Sequence, residues 1–197
     1  MNKKLKQYIS SLGHTELDEP RKAILADLIN YIQGRSGAKL NFICTHNSRR
    51  SHLSQVWAQT MAAYFGVKVE TFSGGTEATA FHPNAVASLE RAGFTIKGGD
   101  GKNPQYKVQF DASIEPIICY SKTFDDPANP ASGFAAIMTC SEADADCPLV
   151  LGADARIKLF YEDPKVSDGT PGETKTYDER CRQIAAEMYF VFSQIKT

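Results

Sequence analysis

Leu40-Asn41-Phe42-Ile43-Cys44-Thr45-His46-Asn47-Ser48-Arg49-Arg50-Ser51 decides the reading, and it runs directly into His52-Leu53-Ser54-Gln55-Val56-Trp57. Apolar, strand-like residues lead to a cysteine, a short polar loop carries an arginine six positions on, and Leu53, Val56, Trp57 and Tyr64 then recur on one helical face. A loop that opens a helix offers unpaired backbone N–H groups and a positive dipole end, which suit a bound oxyanion. Cys44 is expected beneath that oxyanion. The same field, with Arg50 close by, is expected to lower the thiol pKa and make Cys44 a nucleophile. Arg50 supplies a planar fork that matches two oxygens of a tetrahedral oxyanion, a role lysine does not fill. Asn47 can brace the loop, and the Ser51 hydroxyl can stabilise a thiolate. A bare Cys-x5-Arg pair is a weak signal, compatible with a buried cysteine beside an incidental arginine; the strand before it and the helix after it make it specific.

Working outward, the 197 residues suit one domain with a full core. A net charge of −1 provides no field to recruit nucleic acid or anionic lipid. No apolar run reaches membrane-spanning length, and the basic start Met1-Asn2-Lys3-Lys4-Leu5-Lys6 lacks the apolar segment of a secretory signal. A cytoplasmic monomer is expected. Five cysteines without secretory context argue for thiol chemistry rather than a disulfide framework.

Residues 1–39 read as a helical extension packed on the domain, with one main helix. Thr15 with Asp18, or Asp18 ahead of Pro20, caps it; Ile24, Leu25, Leu28, Ile29 and Ile32 form its apolar face, and Gly34 ends it. Past the loop helix, Val67–Phe72 alternates like a strand and ends in Ser73-Gly74-Gly75-Thr76-Glu77. Pro83 starts the next helix and Gly93 closes it. Residues 97–133 are a surface insertion with strand-like pieces at Tyr106–Phe110 and Ile117–Tyr120, placed to set substrate access. Phe134–Thr139 is a buried parallel strand that delivers Cys140, with Cys147-Pro148 following. Loops at the C-terminal ends of parallel strands gather on one edge, so Cys140 and Cys44 can be neighbours. On spacing alone, Cys140 and Cys147 are a resolving pair, two unrelated loop thiols, or half a zinc site lacking nearby histidines. Cys119 and Cys181 read as inert packing residues. Arg156–Tyr161 is the next strand, and Glu162-Asp163-Pro164 closes it. A carboxyl there is placed to protonate a leaving oxygen, although Asp-Pro is also a common turn starter. The last helix runs from about Tyr177. The alternation of strands and helices argues for an open parallel sheet with helices on both faces, an α/β fold.

The loop Cys44–Ser51 resembles the phosphate loop of the low-molecular-weight protein tyrosine phosphatases and of the arsenate reductases built on the same fold. Thr45, Asn47-Ser48 and Trp57-Ala58 are more similar to the reductase branch, as are Phe72–Gly93 and the Cys140/Cys147 pair followed by Pro148. The resemblance covers residues 40–96 and 134–195. It implies a three-layer sandwich around a central four-stranded parallel sheet, extending over 40–197 with the insertion at 97–133 and an extra N-terminal helix. It also implies Asp163 as general acid, Cys140 and Cys147 as the redox pair, and Thr45, His46, Asn47, Ser48, Arg49, Arg50 and Ser51 as oxyanion-binding and loop-supporting residues. In the reductases a structural potassium ion is held near the positions of Asn47 and Ser73, with an acidic partner where this chain has Gln55. His46 stands where both families carry glycine, Arg49 where the reductases have a further cysteine, and Lys165 where the phosphatases have tyrosine. Arg49 is read as favouring an anionic substrate or simply facing solvent.

Two activities follow from the resemblance. One is cysteine-dependent reduction of arsenate through a Cys44/Cys140/Cys147 cascade, with no bound cofactor and a thioredoxin-type thiol reductant as co-substrate. The other is phosphomonoester hydrolysis through a Cys44 phosphocysteine. A loop strained at His46 would instead bind an oxyanion without turning it over.

Overall fold

β1 (Ala38–Cys44) is buried along nearly its whole length, as a strand covered on both faces must be. It pairs in parallel with β2 (Val69–Gly75) and with β6 (Phe134–Met138), and β6 pairs in parallel with β7 (Ala153–Lys158), in the order β2-β1-β6-β7. The computed structural model describes residues 1–146 and 149–196. The four-stranded parallel sheet inferred from the sequence is therefore present, and the chain reverses its winding direction at β1. That reversal opens a crevice beyond the C-terminal ends of β1 and β6, where ligands of such sheets bind.

Alternate residues of the strands feed two cores. Leu40, Phe42, Ala135 and Ile137 face a large cluster built with α1 (Lys3–Leu12), α2 (Glu19–Gln33), α3 (Arg50–Phe65), α4 (Pro83–Ala92) and α6 (Glu173–Ser193). Ile43, Cys44, Phe134, Ala136 and Met138 face a small one, closed by Ala143 of α5 (Ser141–Asp146) and by Val150. Helices thus cover both faces of the sheet unequally, and Cys44 and Cys140 lie in the same small core.

The N-terminal region holds two helices where the sequence suggested one. Asn2 caps α1 by accepting from the Leu5 N–H at 2.9 Å, and Leu5, Ile9 and Leu12 bury one face. The lysines around that stripe disguise it as a basic tail. Asp18 caps α2 through the Arg21 N–H at 2.8 Å, with Pro20 in the first turn. Arg21 then donates twice, at 2.8 Å each, to the buried carboxylate of Glu187 on α6, which also accepts the Tyr161 hydroxyl at 2.7 Å. Residues 95–119 form a separate antiparallel sheet of β3 (Thr95–Lys97), β4 (Tyr106–Gln109) and β5 (Ile117–Cys119). After β5 the chain passes along the end of β2: Gly75 N–H donates to Lys122 C=O and Phe124 N–H to Gly75 C=O, both at 2.9 Å. A Cβ at Gly74 would lie 2.4 Å from Phe124 Cα, so this approach requires glycine. α6 begins at Glu173, one turn before the position read from the sequence, and β7 spans Ala153–Lys158 rather than Arg156–Tyr161. Among the described residues, no helix is long and apolar enough to cross a membrane.

Candidate active site

The loop between β1 and α3 is held from outside by its carbonyls. Cys44 C=O accepts from Thr76 N–H at 3.2 Å, Thr45 C=O from Glu77 N–H at 2.8 Å, and Ser48 C=O from His82 N–H at 2.9 Å. His46 C=O accepts from the Ser121 hydroxyl at 2.8 Å and the Thr79 hydroxyl at 3.2 Å. Among the described residues, no group of the chain accepts from the N–H groups of Thr45 through Arg49. Arg49, at the N-cap of α3, makes no side-chain cap. With the carbonyls turned outward and the helix start uncapped, the loop leaves its donors for an oxyanion.

Asn47 makes this geometry. It is the sole non-glycine residue with positive φ among those described (φ 43°), a region asparagine tolerates better than most side chains. Its Nδ2 donates to the Ser51 hydroxyl at 2.8 Å, and its Oδ1 accepts from Lys122 N–H at 3.0 Å. His46 lies outside the left-handed region, so the glycine of the relatives is not needed there. Gly75 is needed: a Cβ on it would fall 2.5 Å from Thr45 O and 2.7 Å from Asn47 N.

Cys44 is buried, with its sulfur 3.1 Å from the Ser51 hydroxyl. Arg50 donates to Asp163 Oδ2 at 2.8 Å and to Tyr161 C=O at 3.1 Å, and Glu142 lies 3.9 Å away. Asp163 accepts from Lys165 N–H at 3.0 Å, which anchors it at the start of a short 3-10 turn, Pro164–Ser167. The candidate acid and the guanidinium fork are thus joined across the loop mouth. Cys140 emerges after β6, its sulfur 3.6 Å from Thr45 Oγ1 and accepting from Ala143 N–H at 3.4 Å. Burial pushes this thiol above its ordinary pKa, with Ala143 N–H and Arg50 partly opposing the rise. Cys147 lies outside the described residues. Cys119 and Cys181 are fully buried away from the loop, and burial pushes them up to about 12 and about 11, as packing residues.

Arg49 does not face solvent. Its Nε donates to the Tyr177 hydroxyl at 2.6 Å and its Nη2 to Asp168 at 2.9 Å, with Asp163 at 4.0 Å. Tyr177 also donates to Asp168 at 2.7 Å and stacks on His82. Sequence reasoning missed Asp168, Tyr177, Ser121 and Lys122 in this role, because each reaches the loop from a distant segment that carries no motif.

The potassium ion implied by the family does not fit these residues. Asn47 Oδ1 is taken by Lys122 N–H, and the Ser73 hydroxyl is bonded to His52 Nδ1 at 3.2 Å. The position on α3 expected to be acidic is the neutral Gln55. A buried ammonium, that of Lys122, already acts on His52. Among the described residues there is also no group of three or more His, Cys, Asp or Glu side chains arranged to hold a metal.

No protein-family model matches the chain. The low-molecular-weight protein tyrosine phosphatase of T. tengcongensis superposes with a TM-score of 0.54 at 15% identity, covering 81% of this chain and 100% of that one. An arsenate reductase in its phosphate-binding state superposes with a TM-score of 0.51 at 18% identity, covering 81% and 99%. Both likenesses show the fold, which is that of the low-molecular-weight protein tyrosine phosphatases. In sequence the chain is similar to arsenate reductases: that of Bacillus licheniformis is 26% identical over 153 residues, 78% of this chain and 93% of the relative.

Proposed function

We propose that the protein reduces arsenate to arsenite with thiols as the electron source. Arsenate sits in the loop against the N–H groups of Thr45–Arg49 and the Arg50 fork. The Cys44 thiolate attacks arsenic, an oxygen leaves as water with a proton from Asp163, and a Cys44–arsenate thioester forms. The Cys140 thiolate then attacks the Cys44 sulfur. The electron pair of the sulfur–arsenic bond passes to arsenic, which departs as arsenite, and a Cys44–Cys140 disulfide remains. Cys147 attacks Cys140 in turn, frees Cys44, and leaves a Cys140–Cys147 disulfide for a thioredoxin-type dithiol in the cytoplasm to reduce.

The observation that carries this reading is the position of Cys140. A thiol in the same buried cluster as Cys44 and 3.6 Å from the loop's Thr45 hydroxyl is superfluous to hydrolysis. The curated arsenate reductases among the relatives support the same direction. The second reading, phosphomonoester hydrolysis through a phosphocysteine, uses the same Arg50–Asp163 pair, which suits leaving-group protonation in either reaction. Steady-state assays separate them. Arsenate turnover with thioredoxin and its reductase, lost in Cys140→Ser and Cys147→Ser, supports reduction. Aryl phosphate hydrolysis surviving in both variants without any arsenite formed overturns it.

A further inference from the structure

Residues 159–163 carry Asp163 and present a carbonyl to Arg50, yet they form neither strand nor helix. β7 ends at Lys158, and the 3-10 turn starts at Pro164. Leu159 N–H still donates to Met138 C=O at 2.9 Å and Tyr161 N–H to Thr139 C=O at 3.0 Å. Among the described residues, no backbone bond ties the stretch to the sheet after Tyr161. What holds it beyond the sheet has to come from side chains.

Arg21, on α2 of the N-terminal extension, grips this stretch at two consecutive residues. Its Nη1 donates to Phe160 C=O at 3.1 Å, and its guanidinium carbon lies 4.8 Å over the centre of the Tyr161 ring. Its Nε and Nη2 hold both oxygens of Glu187, and Glu187 Oε2 accepts the Tyr161 hydroxyl at 2.7 Å. Tyr161 is 4% exposed and Glu187 1% exposed. Burial, then the Glu187 charge, holds the Tyr161 hydroxyl well above its ordinary pKa, so it remains a donor. The other side of the same residue faces the loop: Tyr161 C=O accepts from Arg50 Nη1 at 3.1 Å, and Asp163, two residues on, accepts from Arg50 Nη2 at 2.8 Å. A planar guanidinium can serve a carboxylate with two donors, a carbonyl with a third and a ring with its face; an ammonium cannot do all three.

We propose that Arg21 is a positioning residue for oxyanion binding: through Phe160 and Tyr161 it sets the place of the Arg50 fork and of Asp163. The N-terminal extension, which lies outside the resemblance to the two families, thereby completes the site from behind. The inference rests on the loop binding an oxyanion, whichever oxyanion is turned over.

The test is inorganic phosphate binding by calorimetry on the full chain, below the melting temperature of each variant, with a thermal melt alongside and ionic strength held constant. Arg21→Ala should bind phosphate about tenfold more weakly than the wild type, the scale of one misplaced charge-assisted contact. A cavity of about 590 Å³ lined by Arg21 and Glu187 gives solutes access to the gap. Guanidinium added at millimolar concentration should therefore restore most of the affinity, and methylammonium should not. Arg21→Lys keeps a charge beside Glu187 without the fork, and should fold with phosphate affinity reduced about threefold or more. A purely structural Arg21 would lower the melting temperature and leave the phosphate affinity of the folded protein unchanged. Wild-type affinity in folded Arg21→Ala, or a loss that guanidinium leaves in place while raising the melting temperature, would overturn the proposal. If Arg21→Ala does not fold, wild-type affinity in Arg21→Lys would overturn it. A wild type that binds no phosphate would overturn it together with the oxyanion reading of the loop. Because phosphate is the probe, these outcomes are independent of whether arsenate is reduced.

Discussion

At the scale of single residues, the loop works through division of labour. Backbone carbonyls fix its outside, Asn47 supplies the one left-handed turn, and Arg50 supplies charge in a planar fork. Arg50→Lys keeps the charge and loses the fork. It should lower oxyanion affinity and turnover by about tenfold to a hundredfold, in keeping with a charge-assisted hydrogen bond, while the melting temperature moves little; phosphate titration and activity assays check this. His52 makes a different prediction. It is fully buried, stacks on Phe81, and is held well below its ordinary pKa, first by burial and then by the Lys122 charge. Its folded pKa is depressed, so below about pH 6.5 the unfolded chain binds a proton that the folded chain refuses. Stability should therefore fall on acidification, with a slope approaching about 1.4 kcal/mol per pH unit from this residue. Urea unfolding at stepped pH should show that slope, and a His52→Gln protein should show a shallower one.

At the scale of elements, the N-terminal pair of helices is attached to the rest of the fold through a polar joint. Arg21 of α2 meets Glu187 of α6 in a bidentate pair, and Tyr161 joins the same carboxylate while its carbonyl accepts from Arg50. Removing Arg21 leaves Glu187 buried, at 1% exposed, with its charge uncompensated. Arg21→Ala should cost about 3–5 kcal/mol in urea unfolding. A loss below about 1 kcal/mol, the worth of a surface pair, would show that this joint does not hold α2. The contact was invisible in the sequence because its partners lie 166 residues apart. Elements with local punctuation were legible: Asp18-Glu19-Pro20 at the start of α2, His82-Pro83 at the start of α4, and Gly93 at its end, with φ 117°. α1 was not, since three lysines among its first residues mask the Leu5–Ile9–Leu12 stripe.

At the scale of the whole molecule, the parallel sheet, the position of the Cys44–Ser51 loop and the shared cluster of Cys44 and Cys140 were legible, because each follows from a local strand–loop–helix pattern and from the common edge of parallel strands. The role of residues 97–133 was not. Their length suggested a feature that controls access, whereas their return segment braces the loop from behind, through Ser121 on His46 and Lys122 on Asn47. Long-range hydrogen bonds from a segment without a motif leave no periodic trace in the sequence. The same holds for Arg49, whose Tyr177 and Asp168 partners are more than a hundred residues away.

In the proposed mechanism, Cys140 resolves a thiol–arsenic intermediate on Cys44. The most direct measurement is a single turnover: reduced Cys147→Ser protein mixed with arsenate in the absence of external thiol, followed by arsenite quantification and peptide mapping of disulfides. About one arsenite per protein and a Cys44–Cys140 disulfide are expected, since one two-electron transfer consumes one thiol pair. No arsenite, or arsenite formed equally well when Cys140 is also replaced by serine, would contradict it.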